Sequence, residues 1–597
     1  MANLEEIPTL AELRIVAQRW MGEDPDPRTR DELGALLARG EAARAELADR
    51  FAGTLEFGTA GLRGVLGAGP NRMNRAVVAR ATWGLAHELL ASVPRAVERG
   101  VVVGGDARRM SPEFSTDTAA ILAASGLRVI LFRDPVPTPF LAFAVKHLGA
   151  AAGVMITASH NPAEYNGYKA YWENGAQIIP PVDERIGAAI VGAPAARAIA
   201  RPDLGALRAA GLVSDASPEV TRAYLDQVRG LAVHPTGGDR SIRIVYTPMH
   251  GVGDPLARRA LAEAGFADVT SVPEQQKPDS AFPTVAFPNP EEPGAMDHAF
   301  ALAAKTDAGL VLANDPDADR LAVGTSDGQA WHRLTGNEVG VLLGHYLLTE
   351  RPSARPRVVL ASIVSSPILG RIAASLGARY EETLTGFKWI ANRAIELERE
   401  GYTFVFGFEE ALGYCAGDVV RDKDGVSAAV LVAEMAAVLR VRGRSLRDEL
   451  DAVARRWGAF ASAQVNFVRK GAAGLASIGT IMDHLRSAPP QRVGDDDVAA
   501  VADYQRQVRR ERTGKSMPVR LPSSNVLTFE LASGSRIIAR PSGTEPKAKF
   551  YFDASSEVRP GESVRDAEAR AKAMVERLSA AFVAIANAAE GKGASSA

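Results

Sequence analysis

Hydrophobic positions along the chain fall into two rhythms. Short continuous apolar runs recur at Val101-Val102-Val103, Gly153-Val154-Met155-Ile156, Gly309-Leu310-Val311-Leu312-Ala313 and Phe404-Val405-Phe406. Each has strand length and predicts a buried strand. Further strands are expected at 128–132, 241–246 and 357–363. Helix-length segments lie between them, at about 112–125, 139–147, 254–264, 294–305, 365–376 and 424–441. Strands that alternate with helices predict a parallel α/β sheet. Residues 8–50 predict helices, broken at Asp24-Pro25-Asp26-Pro27. A loose stretch rich in Ala, Gly and Pro at about 190–215 marks a boundary, after which the α/β pattern restarts. It restarts again near 336. From about 456 onward strands and helices mix, with a hairpin expected around Ser533-Gly534 and a last helix at about 562–588. The predicted domains are 1–215, 216–335, 336–455 and 456–597.

Length fits this division, since 597 residues suggest about four domains. Hydrophobic residues make up 46%, enough for several cores. Lys plus Arg number 69 and Asp plus Glu 71, a formal net charge of −2. That balance gives no bulk electrostatic case for nucleic acid or an anionic membrane as partner. Cys415 is the single cysteine, so no intrachain disulfide can form. No apolar run approaches the ~20 residues of a membrane span, and the acidic start Met1-Ala2-Asn3-Leu4-Glu5-Glu6 lacks a signal-peptide pattern. The expectation is a cytoplasmic protein.

Candidate chemistry lies in loops after strands. Thr157-Ala158-Ser159-His160-Asn161-Pro162 follows the run at 153–156, and Pro162 disfavours helix at Asn161. Ser159 then sits at a strand's carboxyl end, where open α/β sheets place ligands. Beside His160 it offers a nucleophile, or the loop is an ordinary polar one. Upstream, Phe57-Gly58-Thr59-Ala60-Gly61-Leu62-Arg63-Gly64 carries three glycines and a guanidinium suited to phosphate, or a surface turn. Downstream, Asn166-Gly167 predicts a tight turn that folds Lys169 back toward Ser159. Asp315, Asp317 and Asp319 alternate in Asn314-Asp315-Pro316-Asp317-Ala318-Asp319-Arg320. Three carboxylates so close repel unless screened, and hard oxygen donors suit Mg²⁺, Mn²⁺ or Ca²⁺. Lone His250 reads as structural.

Two later loops add to this. Glu409 and Glu410 end the strand at 404–406, where they could bind a polyol or favour a helix start. Arg540-Pro541-Ser542-Gly543-Thr544 joins an arginine, two hydroxyls and a glycine, a phosphate cradle or a plain turn. Thr385, Gly386 and Lys388 lie in a loop that feeds a helix.

In this order the Ser159, three-aspartate, Glu409 and Arg540 motifs resemble the α-D-phosphohexomutase superfamily, the phosphoglucomutases and phosphomannomutases, over about residues 50–555. The Gly407-Phe408-Glu409-Glu410-Ala411-Leu412-Gly413 form and the N-terminal helices are most similar to the phosphoglucomutase-2/phosphopentomutase branch. The resemblance implies three similar mixed-sheet α/β domains plus a C-terminal α+β domain around a central cleft. It implies Ser159 as the phosphoserine, with His160, Arg63 and Lys169 in the catalytic set and Lys169 as acid/base. Asp315, Asp317 and Asp319 become Mg²⁺ ligands, with the phosphoserine Ser159 completing the site. Thr385, Gly386, Lys388, Glu409 and Glu410 bind the sugar. Arg540, Ser542, Gly543 and Thr544 hold the non-reacting phosphate. The implied reaction moves a phosphoryl group between C1 and C6 of glucose or mannose, with pentose as the alternative and hydrolysis or mere sensing behind it. A sugar bisphosphate such as glucose 1,6-bisphosphate would serve as activator, small sugar phosphates as partners, and a monomer or dimer as the assembly. One departure stands out. Ala411 replaces a sugar-contacting serine found in many members, which leaves hexose against pentose open.

Overall fold

The computed structural model describes residues 8–55, 61–469, 471–542 and 547–593. It divides into two compact units. One holds 3–358 with 386–443, the other 359–385 with 444–597.

In the first unit, the leading sheet has six strands in the order Leu62–Val65, Tyr165–Trp172, Ala152–Ile156, Val101–Gly105, Val129–Leu131, Val213–Asp215. The last four strands of that order pair in parallel, as the alternating pattern requires, and the Tyr165–Trp172 strand runs antiparallel to both of its neighbours. The Val101–Gly105 and Ala152–Ile156 strands are buried at every position, which explains their continuous apolar runs. The helices Arg75–Ser92 and Ser111–Ala124 supply much of the apolar cover.

Two expectations fail here. The stretch at 190–215 is not loose throughout. It forms the helix Leu204–Ala209 and the strand Val213–Asp215, which adds the last strand to the sheet. A run of alanine and glycine can pack as tightly as a branched one, and short elements leave little periodicity to read. Nor is Asn166-Gly167 a turn. Both residues lie inside the eight-residue strand Tyr165–Trp172. Gly167 is needed there for close approach, because a Cβ would lie 2.6 Å from the Leu62 and Thr157 carbonyl oxygens.

The second sheet has the order Trp331–Arg333, Ala322–Ser326, Leu310–Ala313, Ile244–Thr247, Val269–Ser271. Leu310–Ala313 pairs in parallel with Ile244–Thr247 and antiparallel with Ala322–Ser326. The three aspartates occupy the connection between those antiparallel neighbours. In the third domain, Thr403–Glu409 pairs antiparallel with Gly413–Ala416, and the buried helix Gly425–Val441 follows. The N-terminal helices are Leu10–Glu23, Pro27–Ala38 and Arg44–Arg50, the first closed by a Thr9–Glu12 capping box.

In the second unit, the strand Arg379–Thr383 neighbours Arg357–Ser362. The C-terminal domain is a largely antiparallel sheet in the order Ala459–Val468, Lys547–Ser556, Arg536–Pro541, Leu527–Leu531, Asp496–Asp503, Val508–Glu511, Ser516–Pro518. Residues of the helices Gly471–Ser487 and Val564–Gly593, among them Ile481, Leu485 and Phe582, pack on Phe529, Phe550 and Phe552. The three mixed-sheet α/β domains and the C-terminal α+β domain are those expected. Among the described residues no helix is long and apolar enough to cross a membrane.

Candidate active site

Ser159 follows the Ala152–Ile156 strand and is 2% exposed. Its Oγ donates to Asp315 Oδ2 at 2.8 Å, a contact spanning 156 positions of sequence. His160 Nδ1 lies 3.3 Å from the same Oγ. Burial, then the Arg320 and Arg63 charges, pushes the His160 imidazole well below its ordinary range, so it is neutral at neutral pH.

The aspartate loop is folded tightly. Ala318 has φ +54°, and Gly251 lies so close that a Cβ would meet the Pro316 backbone at 2.3 Å. One carboxylate oxygen each from Asp315, Asp317 and Asp319 falls within 4.8 Å of the others. All three residues are buried. Lys169 reaches this cluster, Nζ donating to Asp317 Oδ2 at 2.8 Å and Asp319 Oδ2 at 2.9 Å. Strand register brings it there, since Lys169 stands opposite Met155 on the strand that ends at Ser159's loop. Lys169 thus enters the aspartate cluster through strand register and not through the expected turn.

Electrostatics divide the three acids. Burial, then repulsion from Asp317 and Asp319, raises the Asp315 carboxyl well above its usual range. Burial works the same way on Asp317 and Asp319, but Lys169, joined by the Thr138 hydroxyl at Asp317 and by Lys423 and Arg320 at Asp319, holds both below that range. The Asp317 Oδ1 and Asp319 Oδ1 atoms are buried and have no hydrogen-bond partner. Orphaned carboxylate oxygens at such a convergence fit a hard divalent cation, with Asp315, Asp317 and Asp319 as its protein ligands.

Several contributors escaped the sequence reading. Lys423 Nζ lies 3.2 Å from Asp319 Oδ2 and 3.4 Å from Asp422 Oδ1. Thr138 Oγ1 donates to Asp317 Oδ2 at 2.6 Å. The Arg320 backbone N–H donates to Asp315 Oδ1 at 3.0 Å. Arg108 and Asp106 lie under the Ser159 loop. The charge run Arg421-Asp422-Lys423-Asp424 was the one available signal for Lys423, and Arg320 ended the aspartate motif itself. Thr138 has no local signature.

The remaining expected residues divide by location. Arg63 lies on the Leu62–Val65 strand and donates to Asn161 Oδ1 at 3.0 Å. Burial, then the Arg320 charge, lowers its guanidinium to about 10. Glu409 ends its strand, buried, and its Oε1 accepts the Gly386 N–H at 2.7 Å. Burial raises its carboxyl despite the nearby Lys423. Glu410 and Ala411 form the turn that follows. Lys388, on the helix Phe387–Arg399, lies 3.6 Å from Asp183 and is lowered by burial. In the other unit, Thr385 Oγ1 is buried without a hydrogen-bond partner. Arg540 closes the strand Arg536–Pro541, and the Ser542 N–H bonds the Lys547 carbonyl at 2.8 Å. Gly543 and Thr544 lie outside the described residues.

Family models for phosphoglucomutase/phosphomannomutase α/β/α domains I, II and III match residues 54–195, 222–328 and 335–456. The chain is 38% identical over 565 residues to a probable phosphoribomutase of Schizosaccharomyces pombe, covering 91% of this chain and 94% of that one. It is 41% identical over 487 residues to a probable phosphomannomutase of Haemophilus influenzae, covering 81% and 93%. A putative phosphomannomutase from Thermus thermophilus shares the fold at TM-score 0.63 and 23% identity, over 88% of this chain and 99% of that one. The chain thus belongs to the α-D-phosphohexomutase superfamily, as an enzyme of the phosphoglucomutase/phosphomannomutase type.

Proposed function

We propose that this enzyme interconverts sugar 1-phosphates with the phosphate ester of the terminal hydroxyl, and that its preferred sugar is a pentose. The carrying observation is the Ser159 hydroxyl, hydrogen-bonded into a buried cluster of three aspartates that Lys169 also enters. A serine hydroxyl is a weak nucleophile, but a phosphoserine is a ready donor. The phosphoryl group on Ser159 Oγ passes to the free hydroxyl of a sugar monophosphate. The P–O bond to Ser159 breaks, the new ester forms, and the hydroxyl's proton is released as Ser159 Oγ regains one. The bisphosphate then turns, and its other phosphoryl group returns to Ser159.

Phosphoryl transfer is mostly positioning and charge stabilisation. Mg²⁺ held by Asp315, Asp317 and Asp319 would supply charge neutralisation at the reacting oxygens. Lys169, Arg63 and Arg320 add fixed positive charge. His160, whose Nδ1 lies 3.3 Å from Ser159 Oγ, would exchange the proton there, with Lys169 as the acid/base alternative. Glu409 accepts the Gly386 N–H through Oε1, which orients its other oxygen for a sugar hydroxyl. Arg540 and Ser542 would hold the non-reacting phosphate. A sugar bisphosphate would act as activator, because it reloads Ser159 whenever an intermediate escapes.

Two observations favour the pentose. Ala411 lacks the hydroxyl that would meet one more sugar oxygen two positions after Glu409. The probable phosphoribomutase matches nearly the whole chain. The hexose reading draws on the probable phosphomannomutase relative. A coupled assay with Mg²⁺ and trace sugar bisphosphate would compare ribose 1-phosphate, glucose 1-phosphate and mannose 1-phosphate. The expected result is fastest turnover with ribose 1-phosphate and none in Ser159→Ala. Ala411→Ser should shift the kcat/KM ratio toward hexose by about tenfold, the usual scale of one hydrogen bond. Isomerisation that survives in Ser159→Ala would sink the phosphoserine mechanism, and a wild-type preference for glucose would reinstate the hexose.

A further inference from the structure

Ser159 holds φ at +52°, in the left-handed region that serine seldom occupies. Something must hold the turn against relaxation. Its N–H donates to Thr157 Oγ1 at 2.8 Å, and Thr157 Oγ1 donates to Asp106 Oδ2 at 2.6 Å. Asp106 Oδ1 in turn accepts the Arg108 N–H and the Ser111 hydroxyl, each at 3.0 Å. Asp106 and Arg108 are each 2% exposed.

The Arg108 side chain goes to one place. Its Nη1 donates to the Pro162 carbonyl at 2.8 Å and the Tyr165 carbonyl at 3.2 Å. Its Nη2 donates to the carbonyls of Ser159 and Asn161. Its Nε lies 3.4 Å from Asp106 Oδ2 as an ion pair. Phe282, from the loop of the second domain, lays its ring 5.0 Å from the guanidinium carbon. Burying a guanidinium is costly unless its donors are used. Here both terminal nitrogens are spent on the backbone of a single turn, the one that carries the reacting hydroxyl.

We infer that Arg108 is a positioning residue for phosphoryl transfer. It grips the turn from 159 to 165 and, with the Asp106–Thr157 bridge, keeps Ser159 in its left-handed conformation with Oγ directed at Asp315. The four atoms that its terminal nitrogens reach are backbone carbonyl oxygens, so its effect passes through Ser159 and not through sugar contacts. This role rests on Ser159 being the phosphoryl carrier. Loosening the turn would misplace Oγ, and misplacements of ~1 Å cost about 100-fold in rate.

The test uses the full-length enzyme and its Arg108→Met, Arg108→Lys and Thr157→Val variants. Circular dichroism checks folding, steady-state assays separate kcat from KM, and intact mass follows phosphate on Ser159 after addition of a sugar bisphosphate. Arg108→Met is expected to lower kcat by about 100-fold and to slow Ser159 phosphorylation in parallel, with KM for the sugar monophosphate within about threefold. Arg108→Lys should fall between, because an ammonium cannot reach the four carbonyls as a fork does. Thr157→Val, a near-isostere, should lower kcat by about tenfold through the Ser159 N–H it orphans. A folded Arg108→Met with unchanged kcat, or with KM raised and kcat retained, overturns the inference. If Arg108→Met does not fold, Thr157→Val carries the decision, and unchanged kcat there overturns it. A wild-type enzyme that takes no phosphate on Ser159 overturns the proposed function and the clamp together.

Discussion

Asp315, Asp317 and Asp319 form a cluster that burial alone would forbid, so its compensation is informative. Lys169, Lys423 and Arg320 bring three positive charges to it, and Asp422 adds a fourth negative one. Lys423 is the shared partner of Asp319 and Asp422 and is itself largely covered, with its ammonium held charged by those two carboxylates against desolvation. Removing one partner of a buried ion pair typically costs about 3–5 kcal/mol, because the charge left behind has no water. Lys423→Met is expected to lose stability on that scale in urea unfolding. A divalent cation bound by the three aspartates would repay part of it, so added Mg²⁺ should raise the unfolding midpoint more in Lys423→Met than in wild type. A midpoint that Mg²⁺ leaves unmoved in both proteins would count against a cation site here, independently of any activity measurement. The cluster also shows what local sequence can carry. The alternating aspartates were legible because all three lie within five positions. Thr138 and Lys423 were not, because they join the loop only through the fold.

Between elements, the same principle holds the second unit together. Arg536, on the strand that ends near Arg540, donates to Glu382 at 2.7 Å, to the Ser365 carbonyl at 2.6 Å and to Asp553 Oδ2 at 3.0 Å. Burial lowers the Arg536 guanidinium pKa, but Glu382 and Asp553 outweigh it and raise the group above its ordinary range. It thereby ties the Arg379–Thr383 strand, which leads to Thr385, to the strands Arg536–Pro541 and Lys547–Ser556. Arg536→Met strands two carboxylates, and about 3 kcal/mol of destabilisation is expected in chemical denaturation. The double variant Arg536→Met with Glu382→Met should recover part of that loss. Additive losses would mean the two side chains do not act as a pair. Element identity was largely readable from pattern, since continuous apolar runs such as Gly153–Ile156, bounded by turn residues, admit few alternatives. The failures were local. Asn166-Gly167 carries the chemistry of a turn, yet it lies near the start of a strand, where Gly167 packs closely on Leu62 and Thr157. The short elements after residue 196 were too brief to show a period.

At the scale of the whole molecule, the N-terminal helices pose a separate question, because the family match begins only at residue 54. Leu13, Ala17, Leu33, Leu36, Ala43 and Leu47 form a small core with Ala68, and Trp20 packs toward Ala76, Ala79 and Ile121. Polar contacts fix the same junction. Arg50 Nη1 donates to the Ala68 carbonyl at 3.1 Å and pairs with Glu32 at 2.7 Å, and Glu32 accepts the Ala68 N–H at 3.0 Å. Asn74, the cap of the helix Arg75–Ser92, bonds the Gly67 and Gly69 carbonyls across this strap. The strap continues directly from the strand that carries Arg63. The helices therefore act as a splint, seating residues 67–74 and through them the edge of the first sheet. Leu47 is fully buried in this small core, and Leu47→Ala should cost about 2–5 kcal/mol of local stability. Because the core is separate from that of the sheet, the loss is expected to appear as an early transition. Trypsin would cut within residues 8–50 at temperatures where the Ser111–Ala124 helix is still protected from hydrogen exchange. Exchange at 62–74 should quicken with it, while the strands Val101–Gly105 and Ala152–Ile156 keep wild-type protection. A single cooperative transition, with exchange rising equally everywhere, would show instead that the helices and the first sheet fold as one body.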